Sequence, residues 1–517
     1  MNGTAASSVA AISAAAWSRR ITRRFPNRLA IADGGRQVSY AELDKRVGRL
    51  ANALRAQGVR RGDRIAALLV NGLPLVELYL ATARLGAILL PLNWRLTPAE
   101  LGWIINNAQP RLLFRSPELA EPAMADDALP VLIVGCEGGR EDGYEALLAS
   151  AKEAPDEEEM PDEGALPWIM LYTSGTTGHP KGCLLSQQGQ VVSAYAMATQ
   201  LRCTETSHLL LSLPLFHIGG TSLLFAHLAV GAAITLAPRH FDAETARHMA
   251  SRLRCDMLGI APQLLPAMIE GQRSDPLPMA LRTVTMGGGM HRPQLVEDVR
   301  ALLGCEPILS YGQTEAGNFV ACLYGEEQIA HPQACGRAMP QFDICIMDAD
   351  GRPLPVDQVG ELCLRGPSIL LGYWRNPEAD QSALRGGWLH SGDLAAVDDR
   401  GLITLMGRSK ELIKTGGENV YPKEVEAVLL SHPDIADCAI FGIADDYWGE
   451  AVKALVALHP GKSMTPQDVA GWVRTHIAGY KRPRFVEFVA ALPRTDTGKL
   501  LTRELQARPV TPDQHTD

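Results

Sequence analysis

The sequence predicts an α/β protein: two layered α/β subdomains, a small β-rich subdomain after them, and a smaller α+β unit toward the C-terminus. Three observations lead there. Strand-like apolar runs alternate with helically spaced apolar positions over residues 40–115, and a second α/β unit follows from about 166 to 324. From Gly336 to Thr404 the pattern changes to short apolar or β-branched runs separated by glycine and proline. The 517 residues also exceed what one hydrophobic core organises.

Met1 to Trp17 is rich in alanine and serine and reads as a first helix. Arg19, Arg20, Arg23 and Arg24 follow its apolar stretch, the reverse of a secretory signal's charge order. Leu43, Val47, Leu50 and Leu54 recur at helical spacing within Tyr40 to Gln57, and Asp63 to Val70 then reads as a buried strand. Leu75 to Leu85 is a helix, Ala87 to Leu92 a strand, Pro98 to Asn107 a helix and Pro110 to Phe114 a strand. Ala154 to Gly164 is acidic and carries two prolines, which marks a surface connector. Pro167 to Tyr172 reads as a strand feeding a loop. No formal charge occurs between Glu205 and Arg239, but Pro214, Gly219, Gly220 and Gly231 divide that stretch into strand, helix and strand, not a membrane span. After Glu411 the chain is mixed helix and strand, with a polar tail from Pro509 read as disordered.

Composition narrows the function. The chain is 46% hydrophobic and 21% charged with a formal net charge of −9, which argues against a nucleic-acid partner. Ten cysteines are scattered without a Cys-x-x-Cys pair, which fits a reducing cytoplasm and no structural zinc.

Leu171-Tyr-Thr-Ser-Gly-Thr-Thr-Gly-His-Pro-Lys-Gly182 concentrates hydroxyls, glycines and one lysine. Gly175, Gly178 and Gly182 let backbone N–H groups converge on anionic oxygens, Thr173, Ser174, Thr176 and Thr177 add hydroxyl donors, and Lys181 adds charge. The loop suits a nucleoside triphosphate. It is not a Walker A loop, because Gly182 follows the lysine where a hydroxyl residue is required.

Four more motifs follow in order: Tyr311-Gly-Gln-Thr-Glu-Ala-Gly317, Ser391-Gly-Asp-Leu394, Gly407-Arg-Ser-Lys-Glu-Leu-Ile-Lys414 and Pro493-Arg-Thr-Asp-Thr-Gly-Lys499. Together the five resemble the adenylate-forming superfamily of acyl-CoA synthetases, adenylation domains and luciferases, over nearly the full chain. The resemblance implies an N-terminal domain, residues 1–409, that binds ATP and an organic acid. A hinge at Lys410 would join it to a mobile C-terminal domain, residues 410–517, carrying the catalytic lysine and a face for CoA.

The implied chemistry explains the residue types. Transfer of AMP onto a carboxylate supplies a leaving group while pyrophosphate departs, and CoA then takes the acyl group. By resemblance the loop of Thr173, Ser174, Gly175, Thr176, Thr177, Gly178 and Lys181 holds the β- and γ-phosphates. Thr314 touches a phosphate, and Glu315 ligates Mg²⁺, a hard ion suited to a carboxylate. Tyr311 and Gly312, with Gly288 and Gly289, are expected around adenine, and Asp393 and Arg408 at the ribose. Lys499 is expected to stabilise charge on the α-phosphate in the first step. His217 matches a position that gates the acid and thiol path. For CoA the resemblance points to Lys414, Gly416, Gly417, Glu418, Trp448, Tyr480, Arg482, Arg484 and Arg95. Many relatives carry histidine where this chain has Gln187, which puts one contact in doubt.

By family position the acyl pocket draws on residues 218–220, 257–262, 286–290 and 309–313, which hold no acid or base. A second charge on the substrate would be left unpaired at a cost on the order of several kcal/mol. The expected acid is thus an apolar monocarboxylate. Gly219 and Gly220 are read as leaving room for a medium or long fatty chain, with an aryl acid as the alternative. Loading of a carrier protein, luciferase-like oxidation and non-catalytic binding are the rival readings. Glu315 and Lys499 speak against the last. A homodimer, and a lysine acetyltransferase that neutralises Lys499, complete the expected partners.

Overall fold

The structure is a computed structural model. It describes residues 12–124, 129–135, 143–151, 164–173, 180–287, 293–415, 418–445 and 447–494, with residues 500, 514 and 516. The expected acidic connector falls almost wholly outside these residues, as does most of the polar tail.

Its strands form three sheets. The seven-stranded sheet has a parallel centre: Arg64–Leu68 lies between Ile88–Pro91 and Leu112–Arg115. Pro167–Thr173 joins this sheet beside Ile88–Pro91, and Lys181–Ser186 pairs antiparallel with it. The region from 166 onward therefore begins in the first sheet, not in the second. Conversely, Leu29–Asp33 pairs with Ala233–Leu236 and so belongs to the larger sheet. Each layer thus contains strands from both halves of the α/β region, a consequence of long-range backbone pairing.

The larger sheet has fourteen strands, with Glu306–Gln313, Thr283–Gly287, Met257–Gly259 and His208–Leu211 running parallel in sequence across it. The β-rich region extends its edge, because Ala334–Ala338 pairs with Leu402–Arg408. All five strands of the third sheet come from residues after 412.

The helices follow the apolar spacing. In Tyr40–Ala56 the buried face includes Leu43, Val47, Leu50 and Leu54, and Ser39 caps the first turn by accepting from Glu42 N at 3.2 Å. Thr97 and Glu100 form a reciprocal capping box at the start of Pro98–Ala108. The first described helix is Ala14–Arg24, starting near the end of the expected segment and running through its arginines. Ser13 caps it, accepting from Ala16 N at 3.1 Å. Gln187 also holds this helix end: its Oε1 accepts from Ala14 N at 2.9 Å and Ala15 N at 3.3 Å, while Nε2 donates to Ala83 O at 3.0 Å. Both ends of the Gln187 amide are therefore engaged in anchoring.

Three aromatic rings join the layers. Trp168 stacks on Phe225 at 4.9 Å, and Tyr79 meets Phe225 edge-on at 5.4 Å. Trp168 Nε1 donates to Tyr79 O at 2.8 Å, so the buried indole is satisfied. Among the described residues no helix is long and apolar enough to cross a membrane.

Candidate active site

The loop suited to phosphates is closed by a hairpin: Thr173 and Lys181 are register partners on antiparallel strands. Thr173 Oγ1 donates to Glu315 Oε1 at 3.3 Å, and Tyr373 OH donates to the same oxygen at 3.1 Å. Lys181 Nζ lies 5.3 Å from the centre of the Tyr373 ring. Loop stem, acidic residue and cation therefore converge. Burial, followed by the Glu315 carboxylate, pushes the Tyr373 phenol well above its ordinary range, so Tyr373 remains a donor.

Tyr373 has no place in the sequence-derived site. The backbone brings it there: Gly372 and Tyr373 pair with Leu184 and Cys183 beyond the loop, and Leu370 N donates to Glu315 O at 2.9 Å. No local pattern signals a pairing almost two hundred residues distant.

A second group lies just before Glu315 in the chain. Tyr311, near the end of Glu306–Gln313, donates its hydroxyl to Asp393 Oδ2. Asp393 and Arg408 are cross-strand partners, with Arg408 Nε 2.8 Å from Asp393 Oδ1. Ser391 Oγ accepts from Asp393 N at 3.0 Å and shapes the turn that presents the carboxylate. Gly312 allows close approach to the neighbouring strand, since a Cβ there would stand 2.6 Å from Asn318 O. Thr314 and Glu315 follow at once in a short turn, which sets the two groups four residues apart.

His217 caps helix Ile218–Val230 through Nδ1, which accepts from Gly219 N at 3.1 Å. Beside it, Phe216 meets Trp94 edge-on at 6.3 Å, and Arg95 lies 4.8 Å from the Trp94 ring centre. Arg239, not among the expected site residues, lies 5.4 Å from the same ring. Gly220 does not provide the expected room: a Cβ there would stand 2.2 Å from Pro214 O, so packed backbone occupies that side. At Gly219 the nearest atom to such a Cβ is His217 Nδ1, at 3.4 Å.

Lys410 is exposed in the turn Ser409–Glu411. Beyond it Lys414 N donates to Glu450 Oε2 at 2.6 Å, and Glu418 is exposed opposite Thr415. Arg484 lies 4.0 Å from the Trp448 ring centre, and Lys481 Nζ lies 5.8 Å from that of Tyr480. Arg482 donates to Gly479 O at 3.5 Å. Ser174, Gly175, Thr176, Thr177, Gly178, Gly288, Gly289, Gly416, Gly417 and Lys499 lie outside the described residues.

The chain matches the AMP-binding enzyme family over residues 18–374 and that family's C-terminal domain over residues 424–499. It belongs to the AMP-binding enzymes. The 2-succinylbenzoate–CoA ligase of Geobacillus kaustophilus is 34% identical over 490 residues, covering 95% of this chain and 97% of the relative. The feruloyl-CoA synthase of an Amycolatopsis species is 34% identical over 497 residues, with 95% and 98% covered. The o-succinylbenzoate CoA synthetase of Bacillus subtilis, solved with ATP and a magnesium ion, aligns with a TM-score of 0.81 at 29% identity over 95% of this chain and 98% of that one. The residues here suit such an ion: Glu315 is an oxygen donor flanked by the hydroxyls of Thr173 and Tyr373, with no soft ligand in those contacts.

Proposed function

We propose that this AMP-binding enzyme joins a carboxylic acid to coenzyme A through an acyl-adenylate, releasing AMP and pyrophosphate. The observation that carries the reading is the adjacency of the two groups. Asp393, with Tyr311 and Arg408, offers a ribose and base end, and Glu315, with Thr173, Lys181 and Tyr373, offers a phosphate end. An ionised carboxylate can accept from both ribose hydroxyls once Tyr311 yields one lone pair. Mg²⁺ held at Glu315 would supply charge neutralisation on the phosphates.

The division at residue 410 gives the second step its geometry. Lys499 serves adenylation, and rotation about Lys410 exchanges it for a face built from Lys414, Glu418, Trp448, Tyr480, Arg482 and Arg484, with Arg95 facing it from the N-terminal domain. Acetylation of Lys499 would remove its charge and stop the first step alone.

The acid is an apolar monocarboxylate, and a compact aryl acid ranks ahead of a long fatty chain. Met257, Leu258, Ile260 and Met286 are buried and uncharged, and the Pro214 carbonyl fills the space beside Gly220. A relative named for feruloyl-CoA synthesis is consistent with that class. The test is pyrophosphate release across a carboxylic-acid library, with and without CoA. Release with aryl acids and CoA-dependent turnover is expected. No AMP production with any acid would refute the reaction class, and a preference rising from benzoate to long-chain acids would refute the acid class. Lys499→Ala should lose acyl-AMP formation yet still convert synthetic acyl-AMP to thioester, and equal loss of both would remove its assigned role.

A further inference from the structure

Beside the nucleotide group, between the strand that carries Asp393 and its neighbour, three different metal-ligating side chains meet. Cys363 and His390 are register partners on the antiparallel strands Gly360–Arg365 and Trp388–Val397. Glu361 stands two residues before Cys363, across an irregularity in the strand pairing. One donor atom from each lies within 4.8 Å of the other two. Cys363 is fully buried, and the side chains of His390 and Glu361 are 8% and 22% exposed.

The hydrogen bonds around His390 Nδ1 do not add up for a ring nitrogen. Glu361 Oε2 lies 2.7 Å from it, Arg385 Nη2 2.9 Å and Cys363 Sγ 3.4 Å. That nitrogen carries one proton or one lone pair and serves one neighbour at a time. Arg385 Nη2 also stands 3.4 Å from Glu361 Oε2, so a cationic group already sits between two of the donors. Its side chain is 54% exposed and free to swing into solvent.

We propose that Glu361, Cys363 and His390 form a binding site for a thiophilic divalent cation of the Zn²⁺ class, with Arg385 as the cationic placeholder that the ion displaces. Sulfur, imidazole nitrogen and one carboxylate oxygen match the ligand types of such an ion, and water completes a tetrahedron. On binding, the Cys363 S–H bond breaks, its proton passes to solvent and a metal–sulfur bond forms, while His390 contributes the Nδ1 lone pair with its proton on Nε2. Mg²⁺, which avoids sulfur, would not compete. The sequence hides the site because its ligands sit at 361, 363 and 390, without zinc-motif spacing.

Co²⁺ added to the full-length protein without ATP or Mg²⁺ is the test. A thiolate-to-cobalt charge-transfer band at one equivalent, abolished by Zn²⁺, is expected. Cys363→Ser should abolish the band, and His390→Ala should weaken Co²⁺ binding at least about tenfold. Arg385→Ala changes only an exposed side chain and should tighten Co²⁺ binding, because the competing cation is gone. Circular dichroism confirms that each variant is folded. Absence of the band in the unaltered protein, its persistence in Cys363→Ser, or weaker binding in Arg385→Ala would each overturn the proposal.

Discussion

Arg408 Nε lies 2.8 Å from Asp393 Oδ1 while the Tyr311 hydroxyl holds the other oxygen of the same carboxylate, so both oxygens are engaged. The Arg408 side chain is 48% exposed, and its ion pair with Asp393 therefore contributes at most about 1 kcal/mol. The carboxylate matters more for what it accepts. Hydrogen bonds to a charged group contribute about 1.5–3 kcal/mol, so Asp393→Ala should raise the KM for ATP roughly ten- to hundredfold. Arg408→Ala should raise it only a few-fold. Initial rates of pyrophosphate exchange against ATP concentration check both, and equal effects would contradict the division of roles.

Tyr373 holds Glu315 at 3.1 Å without belonging to any recognised motif. Removing one such bond costs about 1 kcal/mol, so Tyr373→Phe should raise the Mg²⁺ concentration needed for half-maximal exchange about fivefold. The acid dependence should not move. A shift in acid KM with an unchanged Mg²⁺ curve would place Tyr373 in the acyl pocket instead.

His227 is fully buried, with Nδ1 2.8 Å from Leu223 O and Nε2 3.5 Å from Cys203 Sγ. Burial lowers its pKa from 6.5 to about 4. Between those values the unfolded chain binds a proton that the folded chain refuses, so stability falls as pH drops through that window. The loss amounts to about 3 kcal/mol. His227→Gln should flatten the dependence of the urea midpoint on pH across the window, and an unchanged slope would assign the acid sensitivity to other groups.

The adjacent glycines at the start of helix Ile218–Val230 should respond to different degrees. A Cβ at Gly220 would meet Pro214 O at 2.2 Å, so Gly220→Ala should cost about 2–3 kcal/mol. At Gly219 the closest atom is 3.4 Å away, so Gly219→Ala should shift stability by less than about 1 kcal/mol. Any change in acid preference should come from Gly219. Thermal midpoints and the acid library measure the two effects.

The order of the five motifs was legible in the residues, as were some of the helices, because a buried helical face imposes a spacing that survives in one dimension. Tyr40–Ala56 and Leu73–Leu85 were readable for that reason. Tyr311, Asp393 and Glu315 were singled out by their motifs, but the contacts of Tyr311 with Asp393 and of Thr173 with Glu315 were not legible there. The strand exchange that carries Pro167–Thr173 into one sheet and Leu29–Asp33 into the other lay beyond the sequence, and so did the arrival of Tyr373 at Glu315 and the meeting of Cys363 with His390. All of these depend on backbone hydrogen bonds between distant segments, and such bonds use groups that every residue shares. Side-chain chemistry names the candidates, whereas strand pairing decides which of them touch.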